Sequence, residues 1–179
     1  MHARLAETMD YVEDKRRELL QSFEGVPGDS LTRQGPAGGW SVAEILEHLR
    51  MVESGIARLI AKRAGRAREE GLGEEKSTES VLPSFDQHRA RLDAMKLESP
   101  ATVQPRADVD LKETLDGLEI SRESLRAAVT GADGLSLGEI RHTHPILGEL
   151  DLYQWLIFLG QHEGRHKNQI ERTLNSIPK

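Results

Sequence analysis

Two histidines stand four residues apart near the C-terminus, at His162 and His166. Residues separated by three or four positions share one face of an α-helix, so both imidazoles would point the same way. Two such rings can bind one cation through one nitrogen each, and a third ring can come from a facing helix. A cation held by three protein ligands has further coordination positions open for water or substrate. His48 is the candidate for that third ligand, because it lies in the apolar stripe of another helical segment. The pattern predicts a metal site of the catalytic type.

Histidines on a buried face have a second interpretation, in which each ring is hydrogen-bonded by a neighbouring carbonyl or carboxylate. A single histidine favours that interpretation, whereas two at this spacing and a third on another helix favour metal. The string from His162 to His166 also matches the H-E-x-x-H motif of zinc peptidases, in which the glutamate is a general base. We give this less weight, because Gln169 and Arg172 occupy the positions where the extended motif needs Gly and His. Glu163 is expected to be a solvated or dimer-facing carboxylate at least as much as a base.

The C-terminal histidines lie on the last of four segments with helical periodicity. This segment begins near Glu149, continues to Ile177, and is apolar nearly all round in its first half, which predicts a helix inside a bundle. The three earlier helices are predicted from His2 to about Phe23, from Ser41 to about Ala64, and from about Ala107 to Val129. Ser41 and Glu44 have the spacing of a capping box at the start of the second helix. The expected architecture is an all-α four-helix bundle.

The connections between these helices are expected to be mostly irregular. Residues 65–106 join the second and third helices, with a short helix predicted from Phe85 to Met95. A connection of this length often forms a crossover or a flap over a functional site. Residues 29–39 and 140–148 are interpreted as loops, and no β-strand is expected.

Several other residues that could bind or orient a ligand have simpler interpretations. His142 and His144 are excluded as ligands unless their loop folds back, because the last helix carries His162 roughly 18 Å away from it. His88 is expected to be exposed in the long connection. Trp40 and Trp155 are interpreted as packing anchors rather than substrate platforms. One turn from the histidines, Glu44 and Gln169 could each orient an imidazole. A surface or capping role fits each of them equally well, and for Glu44 the capping box is favoured.

Composition limits the class of protein. The 179 residues suit one domain, residues 1–179, and the net charge of −6 with mixed signs gives no basic footprint for nucleic acid. The chain has no cysteine, so a metal must be held by nitrogen or oxygen, and a thiolate would have to arrive on a cofactor. The first ten residues lack the apolar core of a signal peptide, and no apolar run reaches membrane-spanning length. We expect a cytoplasmic protein that does not bind a membrane.

Several blocks of sequence resemble the DinB-like superfamily, in particular its branch of small bacterial four-helix metal-binding proteins. The blocks are Gly39-Trp40-Ser41, Glu47-His48-Leu49, His144-Pro145-Ile146-Leu147-Gly148-Glu149-Leu150, Trp155-Leu156, His162-Glu163-Gly164-Arg165-His166 and Gln169-Ile170. Their order and separation are similar to the family across most of the chain, although residues 65–106 carry no recognisable motif. The resemblance implies that His48, His162 and His166 are the metal ligands. It also implies an up-down-down-up bundle, often a homodimer.

The resemblance implies one fold but several functions. Such proteins include thiol S-transferases that use low-molecular-weight thiols such as bacillithiol or mycothiol, a thiol-dependent isomerase, and metal-dependent hydrolases. A divalent cation on three neutral imidazoles lowers the pKa of a bound water or thiol, and zinc, nickel and iron all accept imidazole. We therefore expect a metal-dependent hydrolase or S-transferase that acts on a small molecule. The alternative is a non-catalytic, stress-related bundle that binds a metal or another ligand.

Overall fold

The computed structural model describes residues 1–35, 38–94 and 99–176. Its elements in chain order are α1 (Ala3–Gln21), α2 (Gly28–Thr32), α3 (Val42–Glu69), α4 (Asp86–Ala94), α5 (Leu111–Gly131), β1 (Arg141–His144), β2 (Gly148–Asp151) and α6 (Leu152–Ser176). The four long helices α1, α3, α5 and α6 are those that the apolar periodicity predicts. Met95 and Ile177, the expected ends of two helices, lie outside the described residues.

Side-chain contacts show that α3 and α5 run parallel. Glu53 of α3 accepts a hydrogen bond from Ser121 of α5. Further along both helices, Arg68 donates to the backbone carbonyl of Gly131. Parallel neighbours cannot be joined by a short turn, so the chain between them must cross the length of the bundle.

The first helix runs against this pair. Arg126 of α5 donates to Glu13 of α1, whereas Arg16, one turn later on α1, donates to the carbonyl of Leu118, an earlier residue of α5. The contact order is therefore reversed, and α1 and α5 are antiparallel.

The last helix returns alongside the first. The ring of Tyr11 lies against Gly160, and the side chain of Lys15 lies beside Gly164, so α1 and α6 run parallel. The bundle is thus up-down-down-up with a long crossover between its second and third long helices, as the resemblance implies. Within the described residues, no helix is both long enough and apolar enough to cross a membrane.

The first half of α6 is the centre of the core. Every residue from Leu152 to Gly160 is buried, which confirms the prediction made from its apolar composition. The helix begins at Leu152 rather than near Glu149 because Asp151 caps it: the backbone N–H of Gln154 donates to Oδ1 of Asp151 over 2.9 Å. The predicted capping box of α3 is also present, with Ser41 and Glu44 each accepting from the other's backbone N–H.

The segment before α6 is a β-hairpin, so the prediction of a loop at residues 140–148 was wrong. β1 pairs antiparallel with β2, with His142 opposite Leu150 and His144 opposite Gly148. Each strand has four residues, which is too short for an alternating pattern to stand out from a loop. Residues 29–39 also contain the short helix α2, which the glycine-rich composition concealed.

The crossover is less irregular than expected, because α3 continues into it as far as Glu69 and α4 follows, and it has fixed attachments to the bundle. It contains two short 3₁₀ segments, Leu82–Phe85 and Ala101–Val103, with α4 between them. Near its start, Glu75 accepts hydrogen bonds from Arg4 of α1 and from the hydroxyl of Tyr153 on α6. The crossover therefore packs against the same helix that carries two of the candidate ligands.

Candidate metal centre

The structure brings His48 of α3 together with His162 and His166 of α6. Nε2 of His162 lies 3.2 Å from Nε2 of His48 and 3.1 Å from Nε2 of His166. One nitrogen from each ring lies within 4.8 Å of the other two. Metal–nitrogen bonds of about 2.0–2.1 Å place two ligand nitrogens roughly 2.8–3.0 Å apart in octahedral geometry and roughly 3.3–3.4 Å apart in tetrahedral geometry. The separations therefore fit a single cation.

Hydrogen bonds on the outer side of two rings determine which nitrogen faces the centre. Nδ1 of His48 donates to the carbonyl oxygen of Val103 in the crossover over 2.7 Å, and Nδ1 of His166 donates to Oε1 of Gln169 over 2.8 Å. A carbonyl oxygen can only accept, so in each neutral ring the proton is on Nδ1 and the Nε2 lone pair faces the other histidines. Gln169 therefore contacts one of the three rings, which agrees with one of the roles that the sequence left open for it.

The ring of His162 is oriented by packing. It stacks on Phe158, with ring centroids 5.5 Å apart and an interplanar angle of 26°. Its Nδ1 is buried and has no hydrogen-bond partner among the described residues. The position of this candidate ligand therefore depends on Phe158, one turn earlier on α6.

Burial keeps all three rings neutral. It lowers the pKa of His48, lowers that of His166 to about 3, and lowers that of His162 well below the ordinary value of 6.5. Repulsion between the three rings, and from the guanidinium of Arg165, lowers the pKa values of the two α6 histidines further. Neutral imidazole is the form that binds a metal, so no proton has to be displaced from these rings at neutral pH.

The three histidines line a cavity of about 840 Å³, which suits a small organic molecule. One side of it is apolar and is built by two helices: Met51, Val52, Ile56, Leu59, Trp155 and Phe158. The crossover forms another side of the cavity, through residues that include Leu92 and Val103.

His144 lies in the wall of this cavity, so its expected place near the other end of the bundle was wrong. The hairpin folds back over α6, and the ring of His144 lies 4.5 Å from that of Phe158 between centroids. Burial lowers its pKa to about 4. The distance along the helix did not apply, because the turn of the hairpin reverses the chain. His144 is not one of the three histidines whose nitrogens converge.

The two tryptophans also lie at the site, whereas His88 does not line the cavity. Trp40 packs on His48 with ring centroids 5.2 Å apart, and Trp155 donates from Nε1 to the carbonyl of His142. Both tryptophans pack as expected, but both also line the cavity. His88 is half-buried against Phe85 rather than exposed.

Glu163 is neither solvated nor available to a partner protomer, and that prediction was wrong. It is fully buried, and its Oε1 accepts from Arg16 over 2.6 Å and from Arg122 over 2.8 Å. It does not line the cavity with the histidines. The zinc-peptidase interpretation therefore loses its general base, since a carboxylate that is fully buried and does not line the cavity is out of reach of a water molecule bound there.

Glu163 is one of four charged residues that contact one another in the core. We call these four residues the charge cluster: Arg16, Glu53, Arg122 and Glu163. Glu53 accepts from Arg122 over 2.7 Å and from Arg16 over 3.0 Å. A pattern in the sequence could have predicted this cluster. Arg16 lies between Val12 and Leu19 at helical spacing, and Arg122 lies between Leu118 and Leu125 in the same way. A charge within an apolar stripe predicts a buried ion pair.

The fold and the site together define the class of this protein. It is a four-helix bundle in which three histidines from two helices form a candidate metal site. The chain belongs to the DinB superfamily, whose family model matches residues 11–170. This match includes α3, α5, parts of α1 and α6, and the three histidines, so the resemblance seen in the sequence is confirmed.

Two individual proteins are similar over nearly the whole chain. The uncharacterised protein YuaE of Bacillus subtilis (strain 168) is 25% identical over 170 residues, which cover 94% of this chain and 98% of YuaE. The crystal structure of TT2238, a four-helix bundle protein, has a TM-score of 0.58 and 21% identity, covering 93% of this chain and 98% of that one. The second similarity concerns the fold alone.

Proposed function

We propose that His48, His162 and His166 hold one divalent cation, and that the protein is a metal-dependent enzyme of the hydrolase or thiol S-transferase type. The observation that carries this proposal is the convergence of the three Nε2 atoms. Two of their lone pairs face inward because the outer nitrogens donate to Val103 and Gln169. Lone pairs that face one another in a buried site repel, and a cation between them removes this repulsion.

The proposed cation would act as a Lewis acid that lowers the pKa of a bound water or low-molecular-weight thiol. The chain's own contribution is to hold three neutral ligands on one side of the centre and to leave the cavity side open for the reactants. The apolar wall next to the histidines excludes water, which strengthens electrostatic interactions in the site. Because the chain has no cysteine, a thiol would be a co-substrate.

Zinc, nickel and iron all fit a set of three imidazoles. Elemental analysis of the purified protein identifies the metal and its stoichiometry. We expect His162→Ala to lose the bound metal while its far-UV circular dichroism stays helical, because the bundle core does not depend on that ring. His88→Ala is the matched control, since His88 packs on Phe85 outside the cavity. Retention of a full metal equivalent by His162→Ala would reject the ligand assignment.

The catalytic part of the proposal needs its own experiment. The metal-loaded protein is tested for hydrolysis of small esters and amides and for conjugation of a low-molecular-weight thiol, with His162→Ala as the blank. Turnover that disappears in the blank supports the enzyme. A protein that binds a full metal equivalent but turns over none of these compounds would favour the alternative, a non-catalytic metal- or ligand-binding bundle.

We also propose a small-molecule partner, a single domain over residues 1–179, a cytoplasmic location and a homodimer. The cavity volume supports the first of these, because it is of the size that binds drug-sized molecules. Sedimentation equilibrium gives the oligomeric state directly, and limited proteolysis gives the domain limits.

A further inference from the structure

The contacts of the His144 ring assign a role to each of its two nitrogens. Its Nδ1 accepts from the backbone N–H of Ile146 over 3.1 Å and from that of Leu147 over 3.2 Å. A backbone N–H can only donate, so Nδ1 carries no proton, and the proton of the neutral ring is on Nε2. Burial lowers the pKa of His144 to about 4, so the ring is neutral at pH 7. The side chain therefore has a single N–H donor, at Nε2.

This donor is open to the cavity. Nε2 of His144 has no hydrogen-bond partner among the described residues, and it is not one of their fully buried polar atoms without a partner. Because His144 itself lines the cavity, a molecule bound there can reach this nitrogen. The two nitrogens lie on opposite sides of an imidazole, so a ring whose Nδ1 faces the turn of the hairpin directs its Nε2 away from that turn.

Packing fixes the direction of the donor before any ligand binds. The ring of His144 lies 4.5 Å from that of Phe158 and 5.0 Å from that of Trp155, between centroids. Trp155 is itself fixed, because its Nε1 donates to the carbonyl of His142 in β1. A group held in this way loses little conformational freedom when it forms a hydrogen bond with a ligand.

The surroundings of the donor select the kind of acceptor that it fits. Its neighbours in the cavity wall are the apolar side chains of Ile146, Trp155 and Phe158. An N–H donor without a partner in an apolar wall costs free energy, and a ligand oxygen that accepts from it removes this cost. A neutral donor compensates a neutral oxygen, but it does not compensate the desolvation of a full negative charge. The best match is therefore a carbonyl oxygen.

We propose that His144 is a binding residue, and that its Nε2–H donates to a neutral carbonyl oxygen of the small molecule that occupies the cavity. Phe158 contacts the rings of both His144 and His162, so this carbonyl lies close to the candidate metal centre. The substrate class is then an apolar ester, amide or ketone. The inference rests on the proposed function only in treating the cavity as the substrate site, and the hydrogen bond does not require the metal.

Two probes with the same aromatic body test the proposal. Prodan is a dimethylaminonaphthalene dye with a propionyl group, and its emission shifts to longer wavelength when the carbonyl accepts a hydrogen bond. In its propyl analogue a methylene group replaces the carbonyl. Both are titrated into the full-length protein, with and without metal, and the ratio of their dissociation constants is the measured preference for the carbonyl. The wild type should prefer prodan.

Two substitutions of His144 separate its two nitrogens. In His144→Asn, Oδ1 takes the place of Nδ1 and can accept from the same backbone N–H groups, but no atom reaches the position of Nε2. In His144→Gln, the amide nitrogen reaches the position of Nε2, but the acceptor for the turn is lost. Loss of packing against Phe158 affects both probes alike, so the ratio of dissociation constants reports on the carbonyl alone.

His144→Asn should reduce the preference for prodan by about threefold to tenfold and shift the emission of bound prodan to shorter wavelength. His144→Gln should keep more of the preference, although it should unfold at a lower urea concentration than His144→Asn. Thr143→Asn is the matched control, because Thr143 is the exposed neighbour in β1 and does not line the cavity. It should leave the preference unchanged.

A role of His144 in the turn alone predicts the opposite pattern. The preference would then follow stability, with His144→Gln affected more than His144→Asn. That result, an unchanged preference in His144→Asn, or a wild-type protein that binds neither probe would each overturn the proposal.

Gly55 allows the probes to be located. It lines the cavity in the middle of α3, and a side chain there would meet no other atom within 4 Å of its first carbon. Gly55→Phe should therefore fill the cavity without disturbing the helix, and both probes should bind at least tenfold more weakly. Unchanged affinity for prodan in this variant would contradict the proposal, because the probe would then bind elsewhere.

The same titrations separate this inference from the proposed function. A preference for prodan that His144→Asn abolishes, in a protein that never takes up metal, would remove the proposed function and leave the role of His144. Metal lost in His162→Ala, with a preference that His144→Asn does not change, would do the reverse.

Discussion

At the scale of single residues, the candidate metal centre depends on the outer nitrogens of its rings as much as on the three nitrogens that converge. Val103 and Gln169 fix the rings of His48 and His166 by accepting from Nδ1. Partners of this kind set the orientation of an imidazole and its basicity. The glutamine could be predicted from its position one turn after His166, whereas the carbonyl of Val103 could not, because any residue has a carbonyl.

Gln169→Ala should weaken metal binding about tenfold to a hundredfold while leaving the three ligands in place. Without the amide, the ring of His166 loses the acceptor that holds its proton on Nδ1, so the Nε2 lone pair is no longer fixed toward the centre. Competition with a metallochromic chelator measures the affinity. Asn168→Ala is the control, since Asn168 is the exposed neighbour on the same turn. Equal affinities for Gln169→Ala and the wild type would show that the hydrogen bond does not orient the ligand.

At the scale of elements, the hairpin and the crossover complete the cavity that the long helices leave open. The hairpin places His144 against Phe158. In the crossover, the carbonyl of Val103 accepts a hydrogen bond from His48, and the carbonyl of Leu92 accepts one from Arg165. Local periodicity does not contain these contacts, because they join residues far apart in the chain. The site therefore depends on how the crossover is anchored to the bundle.

Glu75 is the clearest anchor of the crossover. Burial alone would raise its pKa, but the backbone N–H of Ser77 and the guanidinium of Arg4 lower it overall from the ordinary value of 4.5. A carboxyl group with a lowered pKa stabilises the folded state above its unfolded pKa, and this contribution is lost as the pH falls through the folded value.

We expect Glu75→Gln to reduce the free energy of unfolding by about 1–3 kcal/mol at pH 7, because hydrogen bonds to a charged group are lost. The difference from the wild type should shrink as the pH falls below about 4.5. Urea unfolding followed by circular dichroism at several pH values measures it. Glu74→Gln, at the exposed neighbouring position, should show little difference at any pH. A Glu75→Gln penalty that does not vary with pH would contradict the electrostatic explanation.

At the scale of the whole molecule, the charge cluster joins all four long helices. Arg16 comes from α1, Glu53 from α3, Arg122 from α5 and Glu163 from α6, and each is at least nine-tenths buried. Its formal charges sum to zero, so the cluster is tolerated in the core only while all members are present. The helix that carries His162 is thereby tied to the other three one residue away from the proposed ligand.

Arg122→Met should reduce the free energy of unfolding by about 3–5 kcal/mol, because it leaves two buried carboxylates with a single guanidinium. Arg126→Met is the matched control one turn later on α5. Arg126 is 48% exposed and pairs with Glu13 at the surface, so this variant should lose less than about 1 kcal/mol. Urea denaturation compares the two. Similar losses would show that the cluster is no more important than a surface ion pair.

The sequence alone determined the four helices, the capping box and the three histidines, because periods of three and four residues and side-chain chemistry are local properties of the chain. Only the tertiary structure decided which residues surround the other side chains of the site. Glu163 looks like a catalytic base or a solvated carboxylate until Arg16 and Arg122 are found beside it, and His144 looks remote until the hairpin reverses the chain. In both cases the environment of a side chain is set by residues distant in sequence. A local pattern can predict that Arg16 and Arg122 are buried, but it does not show that Glu163 is their partner.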